Sequence, residues 1–263
     1  MTQAQITWTE RDIRCAATVL DSAADDGHEL PTLTDEEILA LDGPAREQLV
    51  ELPWIASEGV EREAAAAVAL RGLLVKGIAY PVHAEGDPSP RRLEAAVEHT
   101  GALTLRRTSE RLVRLERQVS TGRRWIYAYV HDGGVLAEEI DESGLHTFRV
   151  FTPAGIGPWL ARFVDPEDAA AADGDPVLLD QAQFEEQAGE RLADTRAATT
   201  VSALAAHGPD RSLSIYTSST GVAVLTPLGA EGATDPADAV ELRDVSGPTL
   251  AGLLADLTAG IGA

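Results

Sequence analysis

His146-Thr147-Phe148-Arg149-Val150-Phe151-Thr152-Pro153, followed by Ile156, Trp159, Leu160 and Phe163, decides the fold, because the chain writes this pattern twice. Ninety-four residues on, Arg243 stands for Arg149 and Ser246 for Thr152, and Leu250, Leu253, Leu254 and Leu257 stand for Ile156, Trp159, Leu160 and Phe163. The segment just upstream repeats at an offset of 87, which matches Tyr129 with Tyr216, Gly134 with Gly221 and Val135 with Val222. A longer loop in the second copy, around Gly229 to Asp238, accounts for the difference of seven.

Working outward, alternation of period two marks strands over Leu112–Val119, Trp125–Val130, Val135–Ile140 and Leu145–Phe151. His131-Asp132-Gly133-Gly134 and Asp141-Glu142-Ser143-Gly144 are the turns between them, rich in residues that tolerate positive φ. A helix capped at Thr152 closes the copy. The second copy reads Thr200–Ala205, Ser212–Thr217, Val222–Thr226 and Val240–Val245, then a helix capped at Ser246 and ending near Ala259. Each closing helix has apolar residues at i, i+3, i+4 and i+7, a stripe that has to face a sheet or another helix. The expected fold class is α+β: two ββββα repeats related by a pseudo-twofold axis and sharing one antiparallel sheet. Two independent beads on a linker are the competing arrangement. The expected organisation is an N-terminal helical region (1–101), a first repeat (102–170), an acidic linker helix (171–198, with its helix over Asp180–Leu192) and a second repeat (199–263).

In the N-terminal region, Ile6 and Trp8 open a short strand, and Thr9 starts a helix with Ile13, Ala16, Ala17 and Leu20 on one face. Thr34-Asp35-Glu36-Glu37 is a capping box. Pro44 suits the first turn of a helix running through Leu52. Ser57 to Val60 caps a longer helix to Val75, whose buried side is Val60, Ala64, Ala67, Val68, Leu70 and Leu74, with Gly77 as its left-handed end. Residues 81–90 read as a loop, Arg91–His99 as a helix ending at Gly101, and Leu103-Thr104-Leu105 as the start of strand periodicity.

Composition bounds the partners. The chain has 263 residues, 44% of them hydrophobic, and a net charge of −22. That much negative charge repels phosphate backbones and anionic membranes. No apolar run reaches the roughly 18 residues that cross a bilayer, and Met1-Thr2-Gln3-Ala4-Gln5 has neither a basic nor an apolar signal region, so a cytoplasmic location is expected. Cys15, the one cysteine, reads as a small core residue. There is no GxGxxG, P-loop, GxSxG or HExxH pattern. The histidines do not pair at ligand spacing, and His131 and His146 lie beside turns, where solvated histidines are common. Glu138 and Glu139 point to opposite sides of a strand and cannot share a proton. No catalytic, cofactor or metal residue is assigned.

One face is unusual. The strand before the first turn shows Trp125, Tyr127 and Tyr129 where the second copy shows Ser212, Ser214 and Tyr216. Such an aromatic face needs a cover, either the N-terminal region or a partner protein. Trp125, Tyr127 and Tyr129 are therefore the candidate partner-binding residues.

Leu52-Pro53-Trp54, then Ala69-Leu70-Arg71-Gly72-Leu73-Leu74, then two sheet-and-helix copies ending in Val240-Glu241-Leu242-Arg243 and a Leu-rich helix, form an order of parts that resembles the EspG family. These are actinobacterial chaperones of type VII (ESX) secretion. The resemblance covers most of the chain and rests on order and pattern. It implies an α+β fold with a quasi-twofold central sheet, and a cytosolic protein that binds the helical tip of a PPE-type substrate and keeps it soluble.

The expected function is thus a non-enzymatic binding protein, monomer or homodimer, for a protein partner with a helical or amphipathic segment. Two alternatives remain. One is a winged-helix-like regulator built from helices at 35–41, 44–52 and 58–75, with Arg62, Arg71 and Lys76 as phosphate contacts. The other is an enzyme whose active-site residues are dispersed along the chain.

Overall fold

Helix α1 (Glu10–Leu20) starts in a reciprocal capping box between Thr9 and Asp12. Two short strands, β1 (His28–Glu29) and β2 (Leu33–Thr34), lead to α2 (Asp35–Asp42), capped by Thr34 and Glu37 as the sequence predicts. Then come α3 (Pro53–Glu58), α4 (Arg62–Val75), the hairpin β3 (Ala79–His83) and β4 (Pro90–Ala95), and α5 (Val97–Thr108). The first meander is β5 (Arg111–Val119), β6 (Gly122–His131), β7 (Gly134–Asp141) and β8 (Leu145–Phe151), followed by α6 (Ile156–Val164). A short strand β9 (Val177–Leu179) precedes the second meander, β10 (Ala197–Ala205), β11 (Arg211–Thr217), β12 (Val222–Pro227) and β13 (Val240–Asp244), which α7 (Gly247–Ala259) closes. The computed structural model describes residues 8–83, 90–180, 183, 186, 192–205, 211–228 and 240–259. The predicted strand at Ile6 and most of the predicted helix over Asp180–Leu192 lie outside them.

The fold class is α+β with one large antiparallel sheet. Its order is β1-β8-β7-β6-β5-β10-β11-β12-β13-β9, with β2 also on β8 and β3–β4 apart. The two meanders meet at β5 and β10, which pair along their full lengths from Ala197 opposite Val119 to Ala205 opposite Arg111. On one face Val113, Leu115, Ile126, Ala128, Val201, Leu213, Ile215 and Val224 meet Ile156 and Leu160 of α6 and Leu250, Leu254 and Leu257 of α7 in a single core. Each fully buried leucine there contributes roughly 1.5–3 kcal/mol of transfer free energy, an upper bound. On the opposite face of the first meander a second core joins Tyr127, Tyr129, Leu136, Phe148 and Val150 to Ala16, Val19, Leu33, Ile38 and Leu105.

Five local expectations are corrected. Residues 43–52 form no helix. Their polar groups go elsewhere: Arg107 Nη2 donates to the Glu47 carbonyl and Arg62 Nη2 to the Arg46 carbonyl, while Arg46 and Gln48 fold back onto Asp42. Carbonyls engaged by arginines do not need a helical ladder. This removes the middle helix of the winged-helix arrangement. Residues 79–83 and 90–95 form a hairpin rather than a loop and a helix. Leu103-Thr104-Leu105 is helical, inside α5, so the helix crosses the expected boundary at 101. Gly101 sits mid-helix because α1 lies against it: a Cβ there would stand 2.5 Å from the Cys15 carbonyl oxygen and from Val19 Cγ2. The same contact turns α1, so that Cys15, Ala16 and Val19 are buried and Ile13 is exposed. Finally, α4 buries Ala65, Ala66 and Leu73, and leaves exposed the Ala64, Ala67, Val68 and Leu74 side that the sequence assigns to the core.

Substituting Gly101→Ala should therefore destabilise by about 1–3 kcal/mol through overpacking against α1, against the ~1 kcal/mol gain that alanine brings to an open helix position. A urea titration reads the difference, and a stabilised variant would contradict the close packing.

Candidate functional site

The face carrying Trp125, Tyr127 and Tyr129 is covered from within the chain. All three rings are buried, packed beneath residues of α1, α2 and α5. Tyr127 and Tyr129 stack at 6.4 Å, and the Arg114 guanidinium lies 6.0 Å from the Tyr127 ring centre. Of the two covers the sequence leaves open, the N-terminal region is the one in place.

Beneath that cover lies a group of ionisable residues that sequence reasoning missed. Glu138 on β7 and His146 on β8 lie diagonally across one ladder, where Glu138 pairs with Phe148 and Ile140 with His146, so both point to the same side. Glu138 Oε2 accepts from Arg106 Nε of α5 (2.8 Å) and from the Tyr129 hydroxyl (2.7 Å). Glu138 Oε1 is 2.6 Å from His146 Nδ1, and His146 Nε2 is 2.7 Å from Asp35 Oδ1 at the start of α2. Asp35 Oδ2 then accepts from the Ile55 amide of α3 at 3.0 Å. The side chains of Asp35, Glu138 and His146 have no exposed surface. His146, expected beside solvent because it follows a turn, is thus sealed. Gly144 makes the approach possible: at φ +74 its carbonyl accepts from the Asp35 amide, and a Cβ there would stand 2.8 Å from both Asp35 Cγ and Trp54 Cβ.

The protonation pattern follows from the geometry. A neutral imidazole donates from one nitrogen only, whereas two carboxylate oxygens flank this ring, so the imidazolium satisfies both contacts. Desolvation alone would lower the His146 pKa, but hydrogen bonds to Asp35 and Glu138, and the Glu138 charge, raise it above its ordinary value. Desolvation would raise Glu138; the Arg106 charge and the His146 and Tyr129 hydrogen bonds overcome this and hold it at about 2. Burial and the Glu138 charge push the Tyr129 phenol well up, so it remains a donor. Two cations therefore face two carboxylates with no surface open to a substrate.

A second ionic knot ties α2 to α5. Arg107 Nε lies 2.9 and 3.0 Å from the Asp42 oxygens, and Arg107 Nη2 also donates to this carboxylate. Burial would raise the Asp42 pKa, but the Arg107 hydrogen bond and charge lower it. Among the described residues, no group of three or more His, Cys, Asp or Glu is placed to hold a metal ion.

The solvent-facing candidate lies on the other side of α2. Between α2, α3 and α4 a groove of about 440 Å³ is lined by Trp54, Val60, Ala64, Val68, Ala69 and Gly72, with Glu36 and Glu37 on the α2 wall. Val68 and Val75 of α4 are 70% and 89% exposed. The sequence held the signal, an apolar run around the whole of α4, but a helix apolar on all sides does not disclose which side the chain covers. Trp54 lines the groove while the amide of its neighbour Ile55 donates to Asp35, so the two places adjoin.

Comparison with protein-family models and with curated proteins finds no match. No helix among the described residues is long and apolar enough to cross a membrane.

Replacing His146 with Ala removes the cation between Asp35 and Glu138, leaving Arg106 on Glu138 alone, and should cost about 3–5 kcal/mol. The pH dependence has two limbs. The His146 contribution is complete below the unfolded value near 6.5 and is lost as pH rises through its raised folded value. The Glu138 contribution is complete above 4.5 and is lost as pH falls towards about 2. Urea midpoints measured across pH should fall on both sides of a plateau. In His146→Gln the alkaline limb should shrink; an unchanged alkaline limb would contradict the assignment.

Proposed function

We propose that this chain is a non-enzymatic, cytosolic binding protein that takes a helical or amphipathic segment of a partner protein, in the manner of the EspG-like chaperones. The observation that carries this reading is the solvent-facing apolar side of α4 beside the groove. Apolar surface of this kind, rimmed by charge, is what helix-in-groove recognition uses. The sealed state of the Asp35–His146–Glu138 group supports the non-enzymatic part, because acid–base catalysis needs the reacting proton within hydrogen-bond reach of a substrate.

The internal duplication belongs to the same reading, and strand register supports it. Ala137 stands opposite Arg149 in the β7–β8 ladder, and Val224, 87 residues on, stands opposite Arg243, 94 residues on, in the β12–β13 ladder. Leu136–Val150 and Ala223–Asp244 follow the same offsets, as do Glu138–Phe148 and Leu225–Leu242. Two sequence offsets and two independent ladders thus agree, as a pseudo-twofold pair of ββββα units requires. In that relation Leu225 stands where Glu138 stands and Val240 where His146 stands, so the ionic group belongs to one half alone. A duplicated scaffold that carries its N-terminal cover on one half is an asymmetric platform, suited to an asymmetric partner.

The test is purification of the tagged full-length chain from its native host under mild salt. The reading predicts a stoichiometric complex that survives gel filtration and in which a helical segment of the partner is protected from proteolysis. Recovery of the chain alone, as monomer or homodimer, would overturn it.

A further inference from the structure

We infer that the α2–α3–α4 groove receives one amphipathic helix of another protein, laid antiparallel to α4 with a basic C-terminal turn. This rests on the binding-protein reading above and specifies its site and the chemistry of its occupant. Ala64, Val68, Arg71 and Val75 recur at helical spacing along the outer side of α4, and all four are exposed. The helix thus turns Ala64, Val68 and Val75 towards solvent while it buries Ala65, Ala66 and Leu73. Its outer residues are also small. Ala64, Ala67 and Gly72 leave a shallow floor on which a second helix can approach to the roughly 8–10 Å of packed axes.

Charge distinguishes the two ends of the groove. Glu58, Glu61 and Glu63 crowd the N-terminal end of α4, all exposed. Two cations adjoin that end and both are engaged: Arg62 donates to the Arg46 carbonyl, and Arg46 pairs with Asp42. At the other end a cation is present and paired: Lys76 meets Glu37 at 3.3 Å, and Arg71 on the last turns of α4 is exposed. An occupant therefore gains most from positive charge over the α4 N-terminus. Basic side chains are best carried in the last turn of a helix, where the dipole favours them, and that places the occupant antiparallel to α4. A second copy fits less well. Each chain carries a net charge of −22, and a twofold contact through α4 would set its acidic end against an end where Lys76 is already paired.

The probe is a synthetic amphipathic peptide of about 18 residues, long enough to span α4 at ~1.5 Å per residue. It has a Leu/Ala stripe and three arginines in its last turn, and is titrated against the full-length chain by fluorescence anisotropy. The same peptide with the arginines in its first turn, or with glutamates in their place, should bind at least about fivefold more weakly. Val68→Glu, at a position exposed enough to leave the thermal melt unchanged, should weaken binding by at least about tenfold. Glu61→Lys with Glu63→Lys should remove the preference for arginine over glutamate. Equal binding of the three peptides, or full binding by Val68→Glu, would overturn the proposal. So would a concentration-dependent dimer of the chain alone that Val68→Glu abolishes, since a second copy would then be the occupant. If the native partner co-purifies with wild type and equally with Val68→Glu, this site fails while the binding-protein reading stands. If no partner co-purifies at all, that reading fails with it.

Discussion

An imidazolium between two buried carboxylates holds the N-terminal third of this chain to its sheet. Asp35 and Glu138 approach the same ring from opposite sides, at 2.7 and 2.6 Å, in a place that water does not reach. Without a cation between them the two carboxylates would repel at close range in a medium that screens poorly. Arg106 completes the balance from α5. Three separate segments, at positions 35, 106 and 138–146, are thus fixed by one set of charges. An ionic cluster of this type adds little net stability compared with an apolar core of equal volume, yet it is very costly to break in part. Its consequence is definition: α2 and α5 can sit on the sheet in one register only.

That registration reaches the surface. Asp35 opens α2 and also accepts from the Ile55 amide of α3, so two of the three elements that form the apolar groove hang from the same carboxylate. Lys76 and Glu37 join α4 to α2 at the far end. The groove is therefore built on fixed elements, as a preorganised binding surface should be. The sheet contributes differently. Its core with α6 and α7 crosses the β5–β10 junction and joins both meanders through apolar side chains. One face of the molecule is held by apolar packing, the other by packing plus a small number of obligatory ionic contacts.

Much of the strand framework was legible in the sequence because it is written in period two with turn residues at the ends. Gly133 and Gly144 adopt the positive φ that their turns require, and Thr9, Thr34 and Ser246 lie at helix starts as their side chains predict. The N-terminal region was less legible, for physical reasons that differ from place to place. Gly101 looks like a helix end, but it marks a helix crossing. Residues 43–52 have helix-forming composition, but distant arginines claim their carbonyls. His146 beside a turn looks solvated, and only the fold brings Asp35, 111 positions away, to its other nitrogen. The exposed side of α4 could not be chosen from sequence because every side of that helix is apolar. Trp125, Tyr127 and Tyr129 were recognisable as a face that needs a cover, and the cover proved to be the chain itself.

The charge state of one ring tests this account most directly. Nitrogen-15 NMR of the histidine side chains near neutral pH, with His146→Gln to assign the signal, reads both ring nitrogens of His146. The account predicts an imidazolium with both nitrogens protonated and both protons slow to exchange with water. A neutral ring with one unprotonated nitrogen under the same conditions would mean that no cation separates the two carboxylates, and the central contact of the fold would have to be abandoned.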